Sequence, residues 1–408
     1  MECMESLIDG EFFRLIDKVA EDLRKYKGTV TIVHHNDADG ICSAAILLKL
    51  FELLDCESEL ICIEKVHPKI VEKIHEDKED EIVIYTDLGG LAAEIIDKIN
   101  AGRCKVYIID HHPAKSIESE HVFVLDPELA GISGDIFISA STLNYVFCCR
   151  ISEEMRKYAY LAVIGSVGDY HDRTGGVLGF DRFALDDALH QGLVKIKIEG
   201  VRERYYIKFF DEFADVIAKR LTTLGACGYE YKGYADGIKA CIKGFDDKIL
   251  KKVKKLEDMR VEKFKKAIER LINGELKYGR HIQWFHVHDD FSPMGVKAVG
   301  EFCQLIKDMS FIDENKYLIG FQNMPDYIPD IGKIELNAVK MSGRVPIPLE
   351  RKILRGDAPG LDYLVPKASE VVNGFADATH RLAAATVIEK GKEEEFIKAF
   401  DSLIQIKS

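Results

Sequence analysis

Four acidic clusters in the first half of this 408-residue chain have the residue types and spacing that metal-assisted hydrolysis needs. His35-Asn36-Asp37-Ala38-Asp39-Gly40 follows the apolar run TVTIVH, Asp87-Leu88-Gly89 follows IVIYT, and Asp110-His111-His112-Pro113 follows KVYII. Asp169 closes the apolar segment LAVIGSVG. Asp37, Asp39, Asp87 and Asp169 gathered in one place would raise one another's pKa values strongly, and divalent cations would relieve that crowding. A single acidic strand end is ordinarily a turn or a helix N-cap. Three of them, two carrying histidines, point instead to a dinuclear metal centre. Mixed carboxylate and imidazole ligation suits Mn²⁺, Co²⁺, Fe²⁺ or Zn²⁺ better than Ca²⁺, and the expected cofactor is two divalent ions, Mn²⁺ first. Two metals ~3.5–4 Å apart can clamp the attacking and leaving oxygens of a displacement at phosphorus and make hydroxide available near neutral pH.

The elements that must position these residues read as a βαβ rhythm. Strands are expected at Thr29–His34, Leu60–Glu64, Ile82–Thr86, Lys105–Ile109 and Val122–Leu125, as continuous apolar runs typical of strands buried on both faces. Helical patterns at Asp39–Leu54, Pro68–His75, Leu91–Asn100, Ser139–Arg150 and Ser152–Ile164 alternate with or follow them. That rhythm predicts an α/β fold with a doubly wound parallel sheet, whose ligands bind outside the carboxyl ends of the strands. The expected organisation is a metal-binding domain over residues 1–195, a helical linker over 196–228, and a smaller α/β domain over 229–408. In the last region a helix near Lys248–Asn273 carries ten Lys/Arg against four Asp/Glu over Lys248–Arg270. It reads as a solvated amphipathic face rather than a nucleic-acid track. Strands are expected around Ile282–Val287, Tyr317–Gln322 and Glu335–Met341, with a helix near Val296–Lys307. A loop over Arg344–Pro366 and a closing helix near Glu393–Ile404 complete the reading.

Composition narrows the function classes. With 56 Lys+Arg against 69 Asp+Glu the formal net charge is −13, which excludes a generally basic nucleic-acid coat. No apolar run approaches the ~18 residues of a spanning helix, and the acidic N-terminus lacks the pattern of a signal peptide. No membrane association and a cytoplasmic location are therefore expected. The ten scattered cysteines contain no C-x-x-C pair and read as ordinary thiols in a reducing compartment.

The ordered motifs HNDADG, TDLG, DHHP and GSVGD resemble motifs I to IV of the DHH phosphoesterase superfamily, and the first form resembles that of the archaeal RecJ-like nucleases. The resemblance implies that His35, Asp37 and Asp87 hold one metal, and that Asp39, Asp87, His111 and Asp169 hold the second, with Asp87 bridging. It also implies that His112 faces the scissile phosphate and that Asp110 fixes the His111 ring. His34 is set aside because the H-x-D-x-D-G spacing selects His35.

The C-terminal region resembles the DHHA1 substrate-binding domain. Lys340-Met341-Ser342-Gly343-Arg344 is similar to its phosphate-binding strand, and the run Gly374–Ala385 is similar to its G-G-G-H-x-x-A-A-G signature. Asp377, Ala378, Thr379 and Ala385 replace glycines there. Ser342, Arg344 and His380 are thereby implied to bind substrate. Ser139, Ser141 and Thr142 open a helix and suit N-capping or phosphate donation. His286 and His288 read as a surface strand end, and Trp284, Phe285 and Phe291 as core. The activity implied is phosphodiester hydrolysis on single-stranded DNA or RNA as an exonuclease. Alternatives are a phosphodiesterase of short oligonucleotides or small nucleotides, and a replication or repair scaffold docking on a helicase or replisome.

Overall fold

The computed structural model describes residues 10–404, apart from the side chains of Glu11, Ala376, Asp377 and Ala378. Both ends of the chain, including the acidic start read above, lie outside the described residues, as do three side chains of the Gly374–Ala385 run. Two compact units are present: Met1–Val253 with Ile328–Gly332, and Lys254–Tyr327 with Lys333–Ser408. The expected boundaries at residues 195 and 228 both fall inside the first unit.

In the first unit β1 (Thr29–His34), β2 (Glu57–Cys62), β3 (Ile82–Thr86), β4 (Lys105–Ile109) and β5 (Val122–Leu125) form one sheet in the order β2-β1-β3-β4-β5. Every pairing in it is parallel. This is a doubly wound order, and its direction of winding reverses between β1 and β3. All five residues of β3 are buried, as are five of the six in β1, and apart from His34 and Tyr85 their residues are β-branched. Strand β2 starts three residues earlier than expected and ends at Cys62. As an edge strand it is exposed over its first half, so Glu57, Ser58 and Glu59 belong to it although nothing apolar marks them. Helices Ala38–Leu53, Ala140–Ile151 and Ala159–Gly168 pack together, with their buried residues in one core that also takes in residues of β1, β3 and β4. Helices Pro68–His75 and Ala93–Asn100 pack on each other.

The stretch expected as a helical linker is instead an antiparallel sheet of β6 (Val194–Glu199), β7 (Arg202–Ile207) and β8 (Glu212–Phe213), followed by a helix at Ala214–Thr222. Period-two alternation of Lys195, Lys197 and Glu199 with Ile196 and Ile198 already specifies a strand. Gly200, at φ +64°, supplies the left-handed residue the hairpin turn requires.

In the second unit β9 (Lys277–Tyr278), β10 (Ile282–His286), β11 (Tyr317–Asn323), β14 (Ala338–Arg344), β15 (Phe375–Thr379) and β16 (Ala383–Glu389) form a sheet ordered β15-β16-β14-β11-β10-β9. The short β12 (Tyr327–Ile328) and β13 (Gly332–Lys333) pair apart from it. The expected loop over Arg344–Pro366 holds two helices, Ile347–Arg355 and Leu361–Val371. Gly356 and Gly360 mark where one ends and the next begins, so residues that look like breakers are caps. Trp284, Phe285 and Phe291 are buried, and His286 and His288 stack at 4.1 Å. Every described cysteine is a free thiol. Among the described residues no helix is long and apolar enough to cross a membrane.

Candidate metal centre

The carboxyl ends of β1, β3 and β4, at the point where the sheet reverses its winding, deliver His35 and Asp37, Asp87, and Asp110 with His111. Helix Ala159–Gly168 delivers Asp169 from its C-terminal end. The six residues expected to ligate metal meet there. His35 Nδ1 lies 3.0 Å from Asp37 Oδ2 and 3.4 Å from Asp87 Oδ2. His111 Nε2 lies 3.4 Å from Asp87 Oδ1, 3.4 Å from Asp169 Oδ2 and 3.8 Å from Asp39 Oδ2. Asp87 thus stands between the two imidazoles. It is 2% exposed and holds a left-handed backbone at φ +62°, a conformation that costs a non-glycine residue of order 1 kcal/mol and gathers at functional sites.

Each side chain is fixed from behind. Asp37 caps helix Ala38–Leu53 by accepting from Gly40 N at 3.1 Å. Asp39 accepts from Ala140 N at 2.7 Å and Ser141 N at 3.0 Å, so it lies against the N-terminus of the next helix. Ser139 caps that helix through Thr142 N, and these backbone donors are thereby engaged within the protein. His111 Nδ1 bonds Gly134 O at 2.9 Å, which aims Nε2 at the cluster. A Cβ on Gly134 would stand 1.7 Å from His111 O, so only glycine allows that approach.

Asp110 does not set the His111 ring, contrary to expectation. Its Oδ1 takes His112 Nδ1 at 2.8 Å and the His111 backbone N–H at 2.9 Å, and its Oδ2 takes Gly90 N at 2.9 Å. Neighbouring side chains of strand-end residues diverge, so the carboxylate reaches the second histidine of the pair and a main-chain carbonyl serves the first. His34 is buried against Tyr234, with ring centroids 5.6 Å apart, outside the cluster.

Sequence reasoning missed His171. Its Nε2 lies 3.4 Å from Asp169 Oδ2, and its Nδ1 bonds Asp181 Oδ2 at 2.6 Å. Among the described residues three overlapping sets have ligand atoms close enough to share an ion: His35, Asp37 and Asp87; Asp87, His111 and His112; His111, Asp169 and His171. The only local signal was the D-x-H spacing of Asp169 and His171.

The electrostatics match crowded acids among buried imidazoles. Burial, and then the charge of Asp87, pushes the Asp39 carboxyl up to about 7. Burial favours neutral His111, but Asp87, Asp169 and Asp39 together hold its pKa well above the usual range. His171 rises to about 9 because Asp169 and Asp181 outweigh its burial. Burial alone would raise Asp169 and Asp110, yet His171 with His111, and His112, respectively hold them low. Asp87 Oδ2, His111 Nε2 and His171 Nε2 are buried without a hydrogen-bond partner. Buried polar atoms are ordinarily satisfied, and these three converge with the donor types a divalent metal takes. The residues fit a metal.

In the second unit β14 brings Ser342 and Arg344 together: Arg344 Nη1 donates to Ser342 Oγ at 3.1 Å and to Gly343 O at 2.8 Å. Arg344 pairs in register with Ala383 of β16, and His380, in the β15–β16 turn, donates its backbone N–H to Ala383 O at 2.8 Å. The three expected substrate contacts thus share one end of that sheet. Among the described residues Arg344 pairs with no carboxylate, and burial lowers its pKa.

A parallel sheet of this order, with a carboxylate–imidazole cluster at its reversal point, defines a class of metal-binding α/β domain. Residues 29–166 match the model of the DHH family, N-terminal domain. An uncharacterized protein of Methanocaldococcus jannaschii is 26% identical over 240 residues, which is 57% of this chain and 53% of that protein. YorK of Bacillus subtilis, named provisionally as a prophage-derived single-strand DNA-specific exonuclease, is 25% identical over 168 residues, 38% of this chain and 29% of its own length. The chain therefore spans about half, or less, of the length of these curated relatives. RecJ of Thermus thermophilus, solved in complex with Mn²⁺, shares the fold with a TM-score of 0.63 at 12% identity, over 96% of this chain and 54% of that one.

Proposed function

We propose that this protein is a metal-dependent phosphodiesterase that hydrolyses single-stranded DNA or RNA, using two divalent ions, most readily Mn²⁺. His35, Asp37 and Asp87 would hold one ion, and Asp39, Asp87, His111 and Asp169 the other. The observation that carries this reading is the convergence of buried, unpartnered Asp87 Oδ2 and His111 Nε2 at the reversal point of the sheet. Such ions supply Lewis-acid polarisation of a phosphoryl group and a lowered pKa for water.

The rest is work for the chain itself. Gly134 O and the helix N–H groups at Ala140 and Ser141 hold His111 and Asp39 in place without spending their remaining lone pairs. Asp110 fixes the His112 tautomer by taking Nδ1–H, so that Nε2 can carry the proton exchanged with a leaving oxygen. Its charge and hydrogen bond also work to raise the His112 pKa against burial and His111. Ser342, Arg344 and His380 would receive substrate phosphate, a role that suits a guanidinium with no carboxylate of its own.

Purified protein with Mn²⁺ and end-labelled single strands of DNA and RNA, in a length series, tests this. Stepwise shortening of long strands that stops in EDTA is expected. Cleavage confined to the shortest substrates would replace the reading with an oligonucleotide hydrolase, and no cleavage of any would reject it.

Metal loading should also release protons. At pH 7 the metal-free site retains protons on His111 and His171 and part of one on Asp39, and metal binding must displace those held by its ligands. Calorimetry in buffers of different ionisation enthalpy should show at least about one proton released for the pair of ions, with affinity falling as pH is lowered from about 8 to about 6. Uptake independent of pH would contradict it.

A further inference from the structure

We propose that His171 is a further metal ligand, completing with His111 and Asp169 the second ion's position, and that Asp181 is its positioning residue. This rests on the metal-centre reading above but adds residues outside the four motifs. His171 is 2% exposed, and its Nε2 has no hydrogen-bond partner although it lies 3.4 Å from Asp169 Oδ2. A buried imidazole nitrogen with no hydrogen-bond partner is costly, and a metal ion that displaces its proton would satisfy it. His171 Nε2 has donor atoms of His111 and Asp169 within the span of one ion.

The opposite side of the ring is built to hold it there. Asp181 Oδ2 accepts Nδ1–H at 2.6 Å, and Asp181 Oδ1 is itself held by Ser139 N at 3.0 Å and Ser166 Oγ at 2.8 Å. Asp181 is fully buried. A carboxylate on the far nitrogen fixes the tautomer of a ligating histidine and increases its basicity. The backbone serves the same end: Tyr170 adopts φ +61° between Asp169 and His171, turning the chain so that both side chains reach one place. Among the described residues no hydroxyl or amide of another side chain bonds Nε2 in this arrangement.

Calorimetric titration of Mn²⁺ into metal-free wild type, His171→Gln, His171→Ala and Asp181→Asn tests the assignment, with the visible absorption of bound Co²⁺ as a second readout. Melting in EDTA establishes which variants are folded. In both His171 variants one ion should bind at least about a hundredfold more weakly, with the other little changed and the Co²⁺ spectrum altered; Asp181→Asn should weaken the same ion about tenfold. Folded His171 variants with wild-type affinities and spectrum would overturn the proposal. Should neither His171 variant fold, Asp181→Asn decides, and unchanged affinity there overturns it. Failure of the wild type to bind any ion would instead reject the metal-centre reading itself, and His171 with it.

Discussion

Replacing Asp87 by Asn should leave Mn²⁺-dependent phosphodiester cleavage below about 1% of wild type, a loss of at least ~2.7 kcal/mol of transition-state stabilisation. The two oxygens of Asp87 face different imidazoles, 3.4 Å from His35 and 3.4 Å from His111, so this carboxylate would be common to both proposed ion positions. Asn is the informative substitution because the backbone is left-handed at φ +62°. Asn tolerates that conformation, whereas Ala would add a cost approaching ~1–2 kcal/mol and confuse the stability readout. The metal-free Asn variant should stay folded in EDTA, since the substitution relieves buried Asp39 of a neighbouring charge while taking one of three carboxylates from His111. Turnover within tenfold of wild type would show that Asp87 does not ligate.

Arg344→Ala should weaken single-strand binding roughly ten- to a hundredfold, as expected for the ~1.5–3 kcal/mol of a hydrogen bond to a charged group. Metal content should be unchanged, because Arg344 belongs to the other unit and offers a metal no ligand atom. Its guanidinium bonds Ser342 Oγ and Gly343 O. Removing it strands no carboxylate, and folding stability should not fall as it does when one member of a buried ion pair is deleted. The slope of log affinity against log salt should flatten by about 0.7 for one lost phosphate contact. Arg344→Lys should recover the salt slope but not the full affinity, because an ammonium cannot fork onto two oxygens. Fluorescent single strands titrated at three salt concentrations without turnover check this. Equal affinities and slopes for all three proteins would make the residue structural.

How much of this was legible in the sequence follows from which faces of each element are buried. Strands β1, β3 and β4 stand where their apolar runs put them, because interior strands of a parallel sheet have no solvent face to disguise them, and the edge strand β5 does so too because only Phe123 in it is partly exposed. The chemistry was legible for the same reason: Asp37, Asp87 and His111 follow the ends of such runs. Strand β2 was misplaced because its edge position lets Glu57 and Glu59 remain in water. The hairpin at Val194–Ile207 was read as helix because its charged residues suit either period, and Gly200 was not weighed as a turn. His171, in the turn after helix Ala159–Gly168, was invisible because its proposed role depends on Asp181 in helix Gly179–His190, and only the packed fold joins them. The exchange of partners at Asp110, from His111 to His112, is likewise a matter of side-chain direction that spacing does not encode.

The return of Ile328–Gly332 to the first unit has a consequence for dissecting the chain. Asp330 accepts from Cys62 N at 3.2 Å and from the Tyr234 hydroxyl, and pairs with Lys232 at 3.0 Å. Cys62 ends the edge strand β2, in register with His34, the residue immediately before the first ligand. A fragment stopped at Val253 would carry every proposed metal ligand and still be incomplete. It would leave the end of β2 without its acceptor and Lys232 without its counter-ion, because the residue that serves both lies far beyond the cut. The first unit is contiguous in space but not along the polypeptide, so genetic excision at the apparent junction separates a structure from one of its own corners.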